Sequence, residues 1–384
     1  MQRYLYITLL YVVLATPAVS QWIADSAFIG ETRAGINAVY NLSFDSARSY
    51  FQRITERHPG HPSGHFLLAM VEWWKILINI DNESNDDHFV SMLEDVISIC
   101  DTRLEKDEND LAALFFKGGA LGFRGRLYAH REDWVLAAND GRRALPIVEK
   151  CFALAPQNDD VLLGKGIYNY YASVIPERYP VVRPLMIFFP DGERELGISQ
   201  LRKASKHALY ADIEASYFLL QLQYSFEKNY AEATQIATDL HRRFPENVIF
   251  HRYLGRCLAA LNQWDDAARV FGDINDRVKS RATGYSISAA REASYYIGSA
   301  HMASGRYREA LQEYYRCDEV SREVDKSGPS GFMVMTNLRI GMIYDLESRR
   351  DDAIGQYRKV LDMSDYQQAH SMAERYIREP YGKH

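Results

Sequence analysis

The chain has 384 residues, 47% hydrophobic and 12% aromatic, with 26 tyrosines and a formal charge of −6. That mild acidity, with no long basic run to offset it, argues against a general nucleic-acid binder. The length exceeds the usual size of one compact core, yet no linker composition divides the chain, which points to a core that grows along one axis.

The first twenty residues read as an export signal. Arg3 gives a thin positive start, Leu5 to Ala15 is apolar, and Ala18-Val19-Ser20 is a small-x-small cleavage site before Gln21. The apolar run is too short for a bilayer-spanning helix, which needs roughly 20 residues. No Cys follows the cleavage site, so lipid attachment there is excluded, and no twin-Arg pair is present. Removing residues 1–20 takes the charge to −7. No later segment is long and apolar enough to span a membrane. The expected location is a periplasm, with secretion as the alternative.

After residue 30 a fixed spacing sets in. Unit one runs from Thr32 to Pro59, with a turn at Leu42-Ser43-Phe44 and an apolar helix face of Ala47, Phe51 and Ile54. A Gly, an Ala twelve residues later and an aromatic four after that recur as Gly35/Ala47/Phe51, Gly255/Ala267/Phe271, Gly298/Ala310/Tyr314 and Gly341/Ala353/Tyr357. Each occurrence reads as two helices closing on each other and stacking on the next pair. The Ala-to-Pro spacing Ala47/Pro59 repeats at Ala144/Pro156 and Ala233/Pro245. Between these landmarks the sequence predicts first helices over Phe66–Ile80 and Leu111–Tyr128, and second helices over Phe89–Cys100 and Trp134–Ala153. A stretched pair follows at Gly164–Val174 and Leu196–Ala208. The unit around Ala233 has Gln221 where the Gly is expected. The last three units step by 43 residues, so 275–290 and 320–333 must hold extended loops or extra helical turns. A helix from Gln367 to Ile377 closes the chain. About seven pairs are expected.

This pattern of Gly, Ala, aromatic and inter-repeat Pro resembles the tetratricopeptide repeat family. The resemblance implies an all-α, right-handed superhelical solenoid over residues 21–384. Its repeats are degenerate over 32–210 and regular over 211–363, with a cap at 366–378. It also implies a concave face lined by first helices. Carried over residue by residue, the groove positions are Phe218 and Leu222, then Arg252 and Arg256, then Tyr295, Ser299 and Met302, then Met335, Leu338 and Met342. This Met- and aromatic-rich stripe with two guanidiniums at one end suits a peptide bearing an acidic group. The alternative is ordinary packing between first helices or against the terminal helix.

Residues Ile175–Gly192 break the repeat, with Pro176, Pro180, Pro184 and Pro190. Proline at that density predicts a loop. Its apolar run, Leu185, Met186, Ile187, Phe188 and Phe189, reads either as a plug in the solenoid's own groove or as a finger for a partner or a membrane. Tyr179 would add a rigid amphipathic contact either way.

Other candidates are weaker. Gly118 to Gly125 with Arg124 and Arg126 lacks the Gly-Lys-Ser/Thr ending of a phosphate loop, so small residues for close helix approach are the simpler reading, with contact to an anionic ligand as the alternative. His58, His61 and His65 with Glu72 invite a metal reading, but the intervening Pro and Gly make a solvated turn simpler. Asp81–Asp87 lacks the Gly and closing Glu of a calcium loop. Adjacent Trp73 and Trp74 point about 100° apart on a helix; packing between layers is the simpler reading, with one of them reaching the groove as the alternative. The four cysteines lack a disulfide framework and read as buried thiols. No nucleophile-elbow or HExxH motif supports catalysis. Neither metal nor cofactor is expected. The expected function is a non-enzymatic exported scaffold binding a protein or peptide partner, with no nucleic acid, plausibly in bacterial cell-envelope assembly or export. The alternative is a peripheral membrane protein docking through 185–189.

Overall fold

A computed structural model describes residues 23, 25–187, 189–326 and 328–382, leaving aside the side chains of 181 and 185. The predicted signal at 1–20 lies outside the described residues. Among the described residues every regular element is helical, and eight helix–turn–helix pairs follow one another rather than seven. They are α1 (Ser26–Tyr40) with α2 (Phe44–Arg57), α3 (Pro62–Ile78) with α4 (Asp86–Leu104), and α5 (Leu111–His130) with α6 (Trp134–Leu154). Next come α7 (Leu162–Arg178) with α9 (Arg194–His207), the short α8 (Arg183–Met186) lying between them, and α10 (Asp212–Leu222) with α11 (Tyr230–Arg243). The regular end comprises α12 (Val248–Ala260) with α13 (Trp264–Lys279), α14 (Ile287–Ala303) with α15 (Tyr307–Val324), and α16 (Gly331–Leu346) with α17 (Arg350–Leu361). The cap is α18 (Ala369–Arg378).

The repeated spacing has a direct steric cause. A Cβ built on Gly35, Gly255, Gly298 or Gly341 would lie 2.3, 2.6, 2.9 or 2.6 Å from the ring of Phe51, Phe271, Tyr314 or Tyr357. Each aromatic is fully buried against the bare backbone of its glycine. The helix starts are capped by side-chain oxygens: Asp25, Asp110, Asp133, Asn229 and Asn247 each accept from an amide in the first turn. The 43-residue step is met mainly by extra turns, since α13 runs to Lys279 and α15 to Val324. All four cysteines are buried free thiols, and burial pushes Cys100, Cys151 and Cys257 up to about 12.

The solenoid does not stay open. The first unit meets the fifth and sixth across the inner face. Tyr40 donates from its hydroxyl to Glu214 Oε2 at 2.7 Å, and Asn247 Nδ2 donates to the Tyr40 carbonyl at 2.8 Å. Trp74 packs on Tyr40, Tyr217 and Phe250 with centroids 4.9, 5.5 and 5.7 Å apart. Arg33 donates to the Leu209 carbonyl, and Gly284, at φ +81°, brings its backbone against Leu42 and Val248. One hydrophobic core therefore runs from Phe28 to Ala293. The last two units and the cap form a second core.

Candidate functional site

Closure leaves an apolar cavity of about 710 Å³ between α1, α3, α5, α6, α7 and α10. Its walls include Ile36, Phe66, Met70, Trp74, Leu145 and Ile167. The glycines of α5 divide by role. A Cβ on Gly118, Gly119 or Gly125 would approach a neighbouring helix at 3.2–3.4 Å, which agrees with close helix approach. Gly122 is different: a Cβ there meets nothing within 4 Å, and the residue faces the cavity. Glycine inside a helix costs roughly 0.5–1 kcal/mol relative to Ala, and packing does not account for it at this position.

One polar cluster interrupts the apolar walls. Arg126 donates to Glu214 Oε1 at 3.1 Å and to Gln221 Oε1 at 3.0 Å, and its guanidinium lies 4.3 Å from the Phe218 ring centroid and 5.1 Å from that of Trp73. Gln221, where the repeat spacing calls for Gly, is thus committed to Arg126, and a π-helical turn at Gln223–Glu227 follows it. Arg124 is not free for an anion, because it makes a buried two-point pair with Asp140, both bonds 2.7 Å. His130 is held down to about 4 by burial and by Arg126, so its ring is neutral. Asp160, also in the wall, accepts the backbone amides of Tyr210 and Ala211, both at 2.9 Å.

The Pro-rich segment forms a strap over this cavity. Helix α7 continues through Pro176 to Arg178, so the break begins at Tyr179 rather than at Ile175. Pro176 lies in the last turn of α7, two residues before the helix ends. Tyr179 packs on Trp134 at 5.8 Å, Val182 is buried, and Met186 and Phe189 face the cavity, Phe189 against Gly141. Ile187 stands out at 80% exposure. The side chain of Leu185 and all of Phe188 lie outside the described residues.

The predicted groove stripe separates into three fates. Phe218 and Leu222 are buried, Phe218 beneath Arg126, and Met335, Leu338 and Met342 are buried in the C-terminal core near α18. These five pack in the cores. Tyr295, Ser299 and Met302 stay half-buried; Ser299 Oγ donates to the Tyr295 carbonyl at 2.9 Å, and Tyr295 meets Phe332 edge-on at 5.5 Å. Arg252 and Arg256 converge on Glu292, which is fully buried; Arg252 Nε reaches Oε2 at 2.6 Å and Arg256 Nη2 reaches it at 2.7 Å. Desolvation works against the Glu292 carboxylate, but the two guanidiniums outweigh it and hold its pKa down to about 2. The spacing rule missed Glu292, three positions before Tyr295 on the same face of α14. It also missed Arg339 on α16. Arg339 lies beside the Tyr295 hydroxyl, meets no carboxylate among the described residues, and keeps a buried Nε without a partner.

The remaining candidates resolve into structure. His61 Nδ1 accepts the Ser63 amide at 3.2 Å and caps α3, with Phe28 edge-on to His58 and His61. Among the described residues no group of three or more His, Cys, Asp or Glu is placed to hold a metal ion. Trp73 stacks on Phe89 at 5.5 Å and Trp74 joins the closure, so both indoles are buried. No described helix is long and apolar enough to cross a membrane.

Comparison with known proteins agrees with this geometry. Residues 32–73 and residues 227–283 each match the tetratricopeptide repeat family. No curated protein matches the sequence. Among solved structures, yeast Tom70 is similar at 12% identity and a TM-score of 0.37, over 91% of this chain and 88% of that one. The C-terminal part of a tetratricopeptide-repeat protein from Cytophaga hutchinsonii is similar at 15% identity and 0.36, over 77% and 97%. Rap protein complexed with Competence and Sporulation Factor is similar at 12% and 0.43, over 92% and 96%. With one matched segment running from the first unit into the second, another from the fifth through the sixth, and the same glycine-on-aromatic contact in four units, the chain is a tetratricopeptide-repeat protein.

Proposed function

We propose that this protein is a non-enzymatic interaction scaffold that holds an acidic stretch of a partner polypeptide along α12, α14 and α16. Tetratricopeptide repeats serve as interaction scaffolds, and the observation that carries the finer reading is charge. Arg252, Arg256 and Arg339 meet a single carboxylate, Glu292, leaving Arg339 without an anion. The Arg252 and Arg256 side chains keep 26% and 24% exposure, so their outer N–H groups remain available. Half-buried Tyr295 between them and Arg339 offers a flat contact with a hydroxyl. The −6 net charge weighs against a nucleic acid as the partner.

Labelled peptides test this. A peptide with two or three Asp or Glu residues should bind, its Asn/Gln counterpart should not, and Arg339→Gln should weaken binding roughly tenfold, the worth of one charge-assisted hydrogen bond. Equal binding of acidic and neutral peptides would sink the reading, as would a preference for RNA.

Export, and a place in a bacterial envelope, belong to the same proposal. Their support is the residue pattern of 1–20 alone. Sequencing the mature protein should find Gln21 at the amino terminus in an extracytoplasmic fraction; an intact Met1 in the cytoplasm would remove this part.

A further inference from the structure

We infer that this cavity is a second binding site, built for the hydrocarbon chain of a free, uncharged monoacyl lipid, with its polar end at Arg126, Gln221 and Tyr171. The site is separate from the peptide surface on α12–α16 and does not depend on it.

Size and polarity come first. About 710 Å³ is within the range of pockets that enclose a whole small molecule. Filled with water it would hold roughly 24 molecules at ~30 Å³ each, and those against the walls would find few polar partners. The walls contributed by α1, α3 and α6 offer almost none. A polypeptide segment fares badly for the same reason, since every residue brings an amide and a carbonyl that must be paired. A hydrocarbon chain brings neither.

Gly122 supplies an independent argument. It is an exposed residue of the cavity lining, so a side chain there would narrow the cavity's access, and no neighbouring helix requires the gap. The strap gives the chain a cover, with Met186 and Phe189 facing inward.

The head is set by charge. Arg126 is answered by Glu214 at 3.1 Å, and Glu214 also accepts from Tyr40. Asp160 is taken up by two backbone amides, and His130 is neutral. A carboxylate head would face Glu214, whereas hydroxyls or an ester would not be repelled. Tyr171, 6.5 Å from Phe218 between ring centroids, brings a phenol into the wall beside Arg126.

The test uses the full protein, stripped of lipid, with monopalmitoylglycerol and monobutyrylglycerol, which share a head and differ in chain length. Native mass spectrometry should show one monopalmitoylglycerol bound and at least tenfold weaker binding of monobutyrylglycerol. A dibromostearoylglycerol should quench tryptophan fluorescence on the unmodified protein, because Trp74 and Trp134 line the cavity. Gly122→Phe should weaken binding at least tenfold while keeping or raising the unfolding midpoint, and Arg339→Gln should leave lipid binding unchanged. Equal binding of the two glycerides, an unaffected Gly122→Phe, absence of quenching, or displacement by an apolar peptide with no lipid uptake would each overturn the inference.

Discussion

Glu292→Gln is expected to destabilise the protein by roughly 2–4 kcal/mol, measured as the loss of unfolding free energy in urea. Removing one partner of a buried ion pair costs roughly 3–5 kcal/mol, because the charge left behind has lost its counter-ion. Here two guanidiniums lose it at once, but each keeps about a quarter of its side chain exposed, and water offsets part of the cost. The same carboxylate gives the effect a pH signature. Its folded pKa, about 2, lies below the ordinary value of 4.5, so its contribution is fully present above pH 4.5 and is lost as pH falls toward 2. That contribution is about 3 kcal/mol. The parent should therefore lose stability across this window, and Glu292→Gln should lose less across it. Parallel pH profiles for the two proteins would show that the Arg252–Glu292–Arg256 cluster does not hold α12 to α14.

Gly255→Val should cost about 3 kcal/mol, near the top of the range for overpacking a filled core. The first added carbon would lie 2.6 Å from the Phe271 ring, and Phe271 is fully buried. Gly272 is the matched control. It lies within α13, where a Cβ meets nothing within 4 Å. Gly272→Ala should therefore stabilise by roughly 0.5–1 kcal/mol through helix propensity. Thermal unfolding of the two variants beside the parent checks both signs. A Gly255→Val protein as stable as the parent would mean that the repeat glycine is not a contact residue.

These two glycines show which part of the fold was legible in the sequence. A contact between residues sixteen apart, repeated at fixed spacing, leaves a periodic trace, so the helix pairs and their order could be read. The closure could not. Tyr40, Glu214 and Asn247 are brought together by the curvature of whole repeats, and nothing in their local sequence marks the meeting. The groove positions were legible only in part, for a related reason. The carried-over register says which side of a first helix faces inward, but not whether a neighbour has already filled that face. Met335, Leu338 and Met342 face inward and are covered; Arg252 and Arg256 face inward and are paired to a residue 36–40 positions away. Gln221 carried a signal, since it breaks the glycine rule at the point where Arg126 needs an acceptor. The strap was legible as an interruption because of its prolines, while its inward direction depends on Gly141, far from it in sequence.

The closure also sets a timetable for synthesis. An ordinary repeat array can settle unit by unit as it leaves the ribosome, each new helix pair packing on the last. In this chain the inner face of unit one waits for Glu214 and Asn247, the latter 207 residues after Tyr40. At 5–20 residues per second that wait is roughly 10–40 seconds. Throughout it Tyr40 and Trp74 stand on a half-built shell without the covering rings of Tyr217 and Phe250, so the nascent chain is most prone to stick just before its sixth repeat is complete.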